Sequence, residues 1–345
     1  PLAVAGESAV LPAPEAGDAR FVAAVARQAG LSWREPARKA AEHWWIASYS
    51  ALRTGEIEAP PASRFDDAAP DSPAAQKAAD DERESLAVPL RTGDAPSLHR
   101  FPRGPNPGTF LHGLLEMAGC EGFAELAAEP AELREQIARR CQLRGMPEWI
   151  EPLAAWLRHL LDTPLVLGEG RAVALAQLAS YQPELEFWFE ARNVDVRRLD
   201  RLVQQHVLPG LARPALARDT LNGMFKGFID LTFEHDGRYY VVDYKSNWLG
   251  EGDAAYTAEA MAAAVVGHRY DLQYVLYLLA LHRQLQLRLP DYDYDRHMGG
   301  ALYLFLRGSR APGQGIHHAR PPRVLIEALD ALFKGEKAEQ TEAMA

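Results

Sequence analysis

Cysteine is nearly missing from this chain: Cys120 and Cys141 are the only two in 345 residues. That excludes a disulfide framework and a four-cysteine metal or iron–sulfur cluster, and it fits reduced, buried thiols in a cytoplasmic protein. No apolar run reaches the ~18 residues that a membrane-spanning helix needs. No Gly-x-x-x-x-Gly-Lys-Ser/Thr loop occurs, so this chain carries no P-loop ATPase of its own. Positive charge is also short, with 37 Lys and Arg against 47 Asp and Glu and a net charge of −10. That argues against a protein that coats nucleic acid by bulk electrostatics, though net charge does not settle the partner. Pro1-Leu2-Ala3-Val4 offers neither an initiator Met nor the build of a signal peptide, so the natural chain is expected to continue upstream. No internal repeat is found.

What is present is ordinary globular composition, 48% hydrophobic and 24% charged, laid out unevenly. Residues 18–29 read as a short helix, Asp18 being its N-cap and Gly30 its stop. The apolar stretch from Trp44 to Leu52 should dock on a folded body. From Arg53 to Pro96 the sequence turns to Ala, Pro, Asp and Ser, with ten acidic and five basic residues and few large apolar ones. Such a stretch cannot bury enough surface to offset its ordering entropy, and it reads as a flexible linker over 53–96. Beyond it, helices are expected over 110–118, 131–143 and 152–161, then strands over 184–190, 227–234 and 239–245. A long helix over 258–287, a strand over 301–306 and a helix over 324–333 complete the order. That order implies an α/β fold, a central mixed sheet flanked by helices. Basic clusters at Arg134/Arg139/Arg140/Arg144 and Arg197/Arg198/Arg201 suit either solvated helix faces or phosphate-contacting grooves.

The chemistry concentrates in residues 227–245. Asp236-Gly237 between two alternating apolar runs is a strong signal for a hairpin with a two-residue loop. If His235 then faces Arg238, the register puts Asp230 directly opposite Asp243, and Lys245 shares their face. Ile229, Leu231 and Phe233 against Tyr240, Val242 and Tyr244 make the other, buried face. Facing carboxylates ~4.5–5.5 Å apart at Cβ repel unless a cation lies between them, and a hard divalent ion with oxygen ligands suits that place. A solvated face on which Lys245 neutralises two surface acids would carry the same pattern. Two carboxylates with a nearby ammonium also match the needs of phosphodiester hydrolysis: a metal to polarise phosphate and acidify water, and a positive group beside the nucleophile.

At these residues the sequence resembles a known family. Residues 227–250, including Val242-Asp243-Tyr244-Lys245-Ser246-Asn247-Trp248, are similar to the RecB C-terminal nuclease domain (exodeoxyribonuclease V β subunit) of the PD-(D/E)xK superfamily. The likeness continues through His268-Arg269-Tyr270-Asp271-Leu272-Gln273-Tyr274, Asp291-Tyr292-Asp293-Tyr294 and Tyr303-Leu304-Phe305-Leu306-Arg307-Gly308. Upstream, Gly108-Thr109-Phe110-Leu111-His112 matches the first nuclease motif, and Ser48-Tyr49-Ser50 resembles the segment that joins helicase and nuclease parts.

The resemblance implies a restriction-endonuclease-like core over 97–345, with 1–52 adjoining an upstream helicase region. It implies Mg²⁺ held by His112, Asp230, Asp243 and the main-chain carbonyl of Tyr244, while Lys245 positions or activates water. Glu186 matches an acidic residue near the metal, and Glu184 takes its place in a different register. Gln273 and Tyr277, i and i+4 on the long helix, match a Gln-x-x-x-Tyr motif that would face the DNA backbone. The implied function is Mg²⁺-dependent DNA cleavage in recombinational repair of double-strand breaks and degradation of foreign DNA. Its partners would be DNA single strands fed from an unwound duplex, RecC-like and RecD-like subunits, and RecA. An inert nuclease fold that guides DNA or binds partner subunits is the alternative, and two opposed acids beside a lysine argue against it.

Overall fold

The computed structural model describes residues 45–54 and 97–336. The helix expected over 18–29 and nearly all of the linker expected over 53–96 lie outside the described residues.

The sheet is built around one long strand. β5 (Thr220–His235) pairs antiparallel along one side with β4 (Ser180–Asp195). Its other side is shared by β1 (Trp45–Ala47), parallel at residues 223–225, and β6 (Arg238–Lys245), antiparallel at residues 231–235. β6 then pairs parallel with β7 (Met298–Phe305), and β7 pairs antiparallel with β8 (Ile316–Ala319). The result is the mixed sheet that the element order implied. A separate ribbon joins β2 (Leu165–Gly168) to β3 (Arg171–Val173). The sequence reading did not anticipate β1, β2, β3 or β8, all of four residues or fewer.

The hairpin forms as its turn chemistry dictates. Asp236 and Gly237 have φ of 50° and 73°, the two positive values that a twist-matched two-residue loop needs. His235 faces Arg238, and the register runs on to Leu231 opposite Val242.

Helices cover both faces. On one lie α2 (Pro105–Glu121), α3 (Phe123–Ala128), α4 (Pro130–Leu143) and α5 (Ile150–Asp162), whose apolar residues cluster with Leu231, Phe233, Tyr240, Val242, Tyr244, Leu302 and Leu304. Pro105 and Pro107 sit in the first turn of α2, where a missing N–H costs nothing. Leu111, Leu114, Leu115 and Ala118 follow at helical spacing and are fully buried, each leucine contributing about 1.5–3 kcal/mol. On the other face lie α1 (Tyr49–Thr54), α6 (Val196–His206), α7 (Ala258–Gly267), α8 (Tyr270–Arg288) and α10 (Arg323–Phe333), clustered with Phe225, Ile229, Val241, Ala301, Tyr303 and Phe305. The short α9 (Tyr294–His297) leads into β7. Tyr49 and Leu52 are buried in this layer, and the Tyr49 hydroxyl donates to the carbonyl of His268 at 2.7 Å. The described part of that apolar stretch, residues 45–52, thus docks as expected and pairs a short strand with β5.

Two expectations need correction. The helix expected over 258–287 is two helices, broken where Arg269 takes a left-handed φ of 62°. The Arg269 guanidinium donates to Pro214 O at 2.8 Å, Asp200 at 2.6 Å and Asp271 at 3.3 Å, and this buried network holds the break. Apolar periodicity carries on through such a break and does not reveal it. Second, only one hairpin face was expected to be buried. Both are, because helices pack on each side, and Ile229 joins the opposite cluster from Leu231 and Phe233.

Candidate active site

The site lies at a fork in the sheet. Among the described residues, β5 has β1 beside it up to Phe225 and β6 beside it from Leu231, leaving residues 226–230 without a neighbour on that side. β6 diverges there: Asp243, Tyr244 and Lys245 pair with Tyr303, Leu304 and Phe305 of β7 on their other side. The ladder that should have set Asp230 against Asp243 stops one rung early. Instead the Asp230 carboxylate accepts the main-chain N–H of Tyr244 at 2.7 Å. On its β4 side the ladder passes from Pro183–Leu231 to Leu185–Ile229, omitting Glu184 and Asp230. Glu184 has a φ of 45°, so both strands depart from regular geometry at this level.

Burial makes the electrostatics severe. Asp230, Asp243 and Lys245 are 3%, 0% and 2% exposed. Lys245 Nζ lies 2.7 Å from Asp243 Oδ2, a fully buried ion pair. The two carboxylates therefore do not simply repel across the hairpin, as facing acids would. Each has a partner of its own, Lys245 for Asp243 and the Tyr244 N–H for Asp230. His112, one turn into the buried stripe of α2, brings Nδ1 to 3.6 Å from Asp230 Oδ2, its ring edge-on to Tyr244 with centroids 5.8 Å apart. Thus four of the expected residues, His112, Asp230, Asp243 and Lys245, meet with Tyr244 at the fork.

Among the described residues no three His, Cys, Asp or Glu side chains are gathered closely enough to form a metal centre alone. The donor set is two carboxylates and an imidazole, with the main chain of Tyr244 alongside. Oxygen-rich donors of this kind suit a hard divalent cation that completes its shell with water and substrate oxygens.

The remaining expected residues fall elsewhere. Glu186 pairs with Phe228 in the β4–β5 ladder; its side chain is exposed and forms an ion pair with Lys226 at 3.3 Å. Glu184 lies at the level of Asp230 and is half-buried. Gln273 and Tyr277 share a face of α8 as their spacing predicts, but that face is buried and does not look onto solvent where DNA would pass. Gln273 donates to the Tyr277 hydroxyl at 3.0 Å and accepts from the Tyr303 hydroxyl at 2.9 Å. The pair braces β7 against α8 at Tyr303, the residue that Asp243 pairs with across the β6–β7 ladder. Burial first, and then the Asp243 carboxylate, push the Tyr303 phenol well above its ordinary pKa, which keeps it a hydrogen-bond donor.

Sequence reasoning assigned no role to Tyr270, Tyr303 or Arg307, although all lie in segments that carry the resemblance. Lys245 Nζ stands 3.9 Å from the Tyr270 ring centre and 5.3 Å from that of Tyr303. The buried Arg307 guanidinium donates to the carbonyls of Ser246, Leu98, Phe101 and Pro102 at 2.7–2.8 Å. It ties the residue after Lys245 to the segment leading into α2. No local signal could show this, since the parallel β6–β7 pairing that aligns these residues is not written in either strand.

Comparison with known proteins matches the same region. The model of the PD-(D/E)XK nuclease superfamily matches residues 90–344. The chain is 45% identical over 248 residues to the RecBCD enzyme subunit RecB of Escherichia coli (strain K12), covering 70% of this chain and 20% of that protein. It is 40% identical over 238 residues to RecB of Haemophilus influenzae (strain ATCC 51907 / DSM 11121 / KW20 / Rd), covering 68% and 19%. With RecB of Mycobacterium tuberculosis (strain ATCC 25618 / H37Rv) the figures are 33% over 345 residues, 88% of this chain and 30% of the relative. The chain spans about a fifth of the length of the first two relatives.

Proposed function

The chain belongs to the PD-(D/E)XK nuclease superfamily, and from that premise we propose that it hydrolyses DNA phosphodiester bonds with Mg²⁺ as the nuclease part of a RecB-like helicase–nuclease subunit. The observation that carries the reading is the convergence of Asp230, Asp243, Lys245 and His112 at one fork of the sheet. A scaffold gains nothing from burying two carboxylates and an ammonium together, because desolvating them costs more than well-packed apolar residues would.

Asp230, Asp243, His112 and the carbonyl of Tyr244 would hold Mg²⁺, with Glu184 or Glu186 as the further acid. When bound, the ion polarises the scissile phosphate and acidifies water. Lys245 would hold the attacking water and offset negative charge developing on the phosphate. Gln273 and Tyr277 would act through Tyr303, fixing β7, the strand against which Asp243 is paired, and they need not touch DNA. The substrate would be single strands from an unwound duplex, in the cytoplasm. RecC-like and RecD-like subunits and RecA would be the partners, in double-strand break repair and removal of foreign DNA. An inert, DNA-guiding fold is not favoured, since the relatives are RecB subunits and the acids and lysine are all in place.

The deciding experiment is cleavage of linear single- and double-stranded DNA by this chain, with Mg²⁺ and with EDTA, alongside Asp243→Asn and Lys245→Met. Mg²⁺-dependent cutting by wild type, lost in both variants while DNA binding persists, is expected. Equal cutting by Lys245→Met would remove the site from consideration.

A further inference from the structure

A lysine that must stay aimed at one point is an awkward group, because its four-carbon stem is flexible and its ammonium is strongly hydrated. Here Lys245 is buried, and its ammonium forms an ion pair with Asp243 at 2.7 Å. Asp243 is also the carboxylate that the proposed function commits to a metal. One carboxylate cannot serve both cations at full strength, so a hold on the ammonium that does not depend on Asp243 matters once Asp243 is engaged. A third acid at this place would compete for the metal.

The structure contains a neutral alternative. Lys245 Nζ sits over the face of Tyr270, 3.9 Å from the ring centre, with Tyr303 as a second ring at 5.3 Å. The rings lie 5.8 Å apart and tilted by 40°, forming two sides of a corner. Tyr270 and Tyr303 are 1% and 0% exposed, so water does not weaken the attraction between the cation and the rings. Both rings are pinned through their hydroxyls. Tyr270 donates to Asn247 Oδ1 at 3.2 Å and Tyr303 donates to Gln273 Oε1 at 2.9 Å. His268 stacks on Tyr270 with centroids 5.1 Å apart. The corner is thus built from three separate parts of the chain, β6 with its following turn, the start of α8, and β7.

We propose that Tyr270, supported by Tyr303, is the positioning residue of the active-site lysine: an aromatic seat that keeps the Lys245 ammonium in place when Asp243 turns to a metal. This rests on the nuclease reading for its purpose, and on the cation–ring geometry alone for its existence. The seat attracts through the negative face of the ring, so it weakens as electron density is withdrawn, whereas simple packing depends on shape.

The test replaces Tyr270 in the 345-residue chain with Phe and then with mono-, di- and trifluorinated phenylalanine, which drain the ring while changing its volume little. Each is made with Lys245 and with Lys245→Met, or Lys245→Gln if the former does not fold. Metal-free thermal melts in EDTA come first. With Lys245 the melting temperature should fall stepwise with fluorination, and with Met or Gln at 245 it should stay level. A flat series, or the same slope in both backgrounds, overturns the seat. Mg²⁺-dependent cleavage comes second. The maximal rate should fall stepwise, about thirtyfold in all, the rate equivalent of one desolvated cation–ring contact, with half-saturating DNA unchanged. Flat rates in a chain that does cut DNA overturn the positioning role. A stepwise fall in melting temperature in a chain that cuts no DNA upholds the seat and refutes the nuclease reading instead.

Discussion

Asp230 and Tyr244 are joined by a side chain-to-main chain hydrogen bond of 2.7 Å that stands where the next rung of the β5–β6 ladder would be. The carboxylate therefore has a structural duty as well as a place in the site, and two substitutions separate them. Asp230→Asn keeps an acceptor oxygen for the Tyr244 N–H and should fold with nearly wild-type stability. Asp230→Ala leaves that buried N–H unsatisfied, at a cost of about 1–3 kcal/mol. Both should lose Mg²⁺-dependent cleavage. Urea melts beside a nuclease assay check this, and equal stability of the two variants would contradict the bond's structural role.

The buried Asp243–Lys245 pair reverses what facing carboxylates would suggest for Asp243→Asn. Removing one acid from a repelling pair should stabilise the metal-free fold. Removing it from a buried ion pair strands the ammonium and should destabilise by about 3 kcal/mol. Wild type should also gain ~2.7 kcal/mol when Mg²⁺ reaches a hundredfold excess over its dissociation constant, and Asp243→Asn should gain nothing. Thermal melts across a Mg²⁺ series, with EDTA controls, read both effects.

Arg307 should be more sensitive than its distance from the chemistry suggests. Its guanidinium serves four carbonyls, including that of Ser246 beside Lys245, in a geometry that an ammonium cannot copy. Arg307→Lys is expected to lose at least about 3 kcal/mol of stability and to slow cleavage even where it remains folded. Denaturant unfolding and cleavage at low temperature measure the two losses. A wild-type melt for Arg307→Lys would show that the strap is dispensable.

Acid should weaken the fold through His317. It pairs with Tyr303 across β7 and β8, and burial pulls its pKa from 6.5 down to about 4, with His318 adding to the shift. Among the described residues its Nε2 has no hydrogen-bond partner. Above pH 6.5 the ring is neutral folded or unfolded and contributes nothing. Between 6.5 and about 4 only the unfolded chain takes up the proton, so stability falls as pH falls, and it levels off below. The loss should be about 2 kcal/mol, the full shift being discounted for partial exposure. His317→Phe should make this part of the pH–stability curve shallower, with His282 and His318, whose pKa values burial also lowers, accounting for what slope remains, and chemical denaturation at stepped pH will show it.

The hairpin was legible because its determinants are local. Asp236-Gly237 sets the turn, and alternation sets which residues share a side over 231–235 and 238–242, though not at Ile229. His112 was legible only through its motif, since nothing in α2 itself marks one buried polar residue for function. The fork could not be read. It exists because β6 takes β7 as its second neighbour while β5 is shared with β1, and those pairings join segments far apart in sequence. The burial of Gln273 and Tyr277 follows from the same cause: helices cover both faces of the sheet, and no single strand reports that. The break at Arg269 was hidden because it rests on the Asp200 side chain of α6 and the main-chain carbonyl of Pro214 in the loop after it.

The parallel pairing of β6 with β7 also sets a timetable for synthesis. When the hairpin of β5 and β6 leaves the ribosome, Val241, Val242 and Asp243 present an open edge, and the strand that will cover it has yet to be made. Until β7 docks, that edge is the part of the nascent chain most prone to pair with a stranger. Until then, too, neither Lys245 nor Asp243 has Tyr303 beside it. The candidate site is thus incomplete until β7, made after the hairpin, has docked on β6.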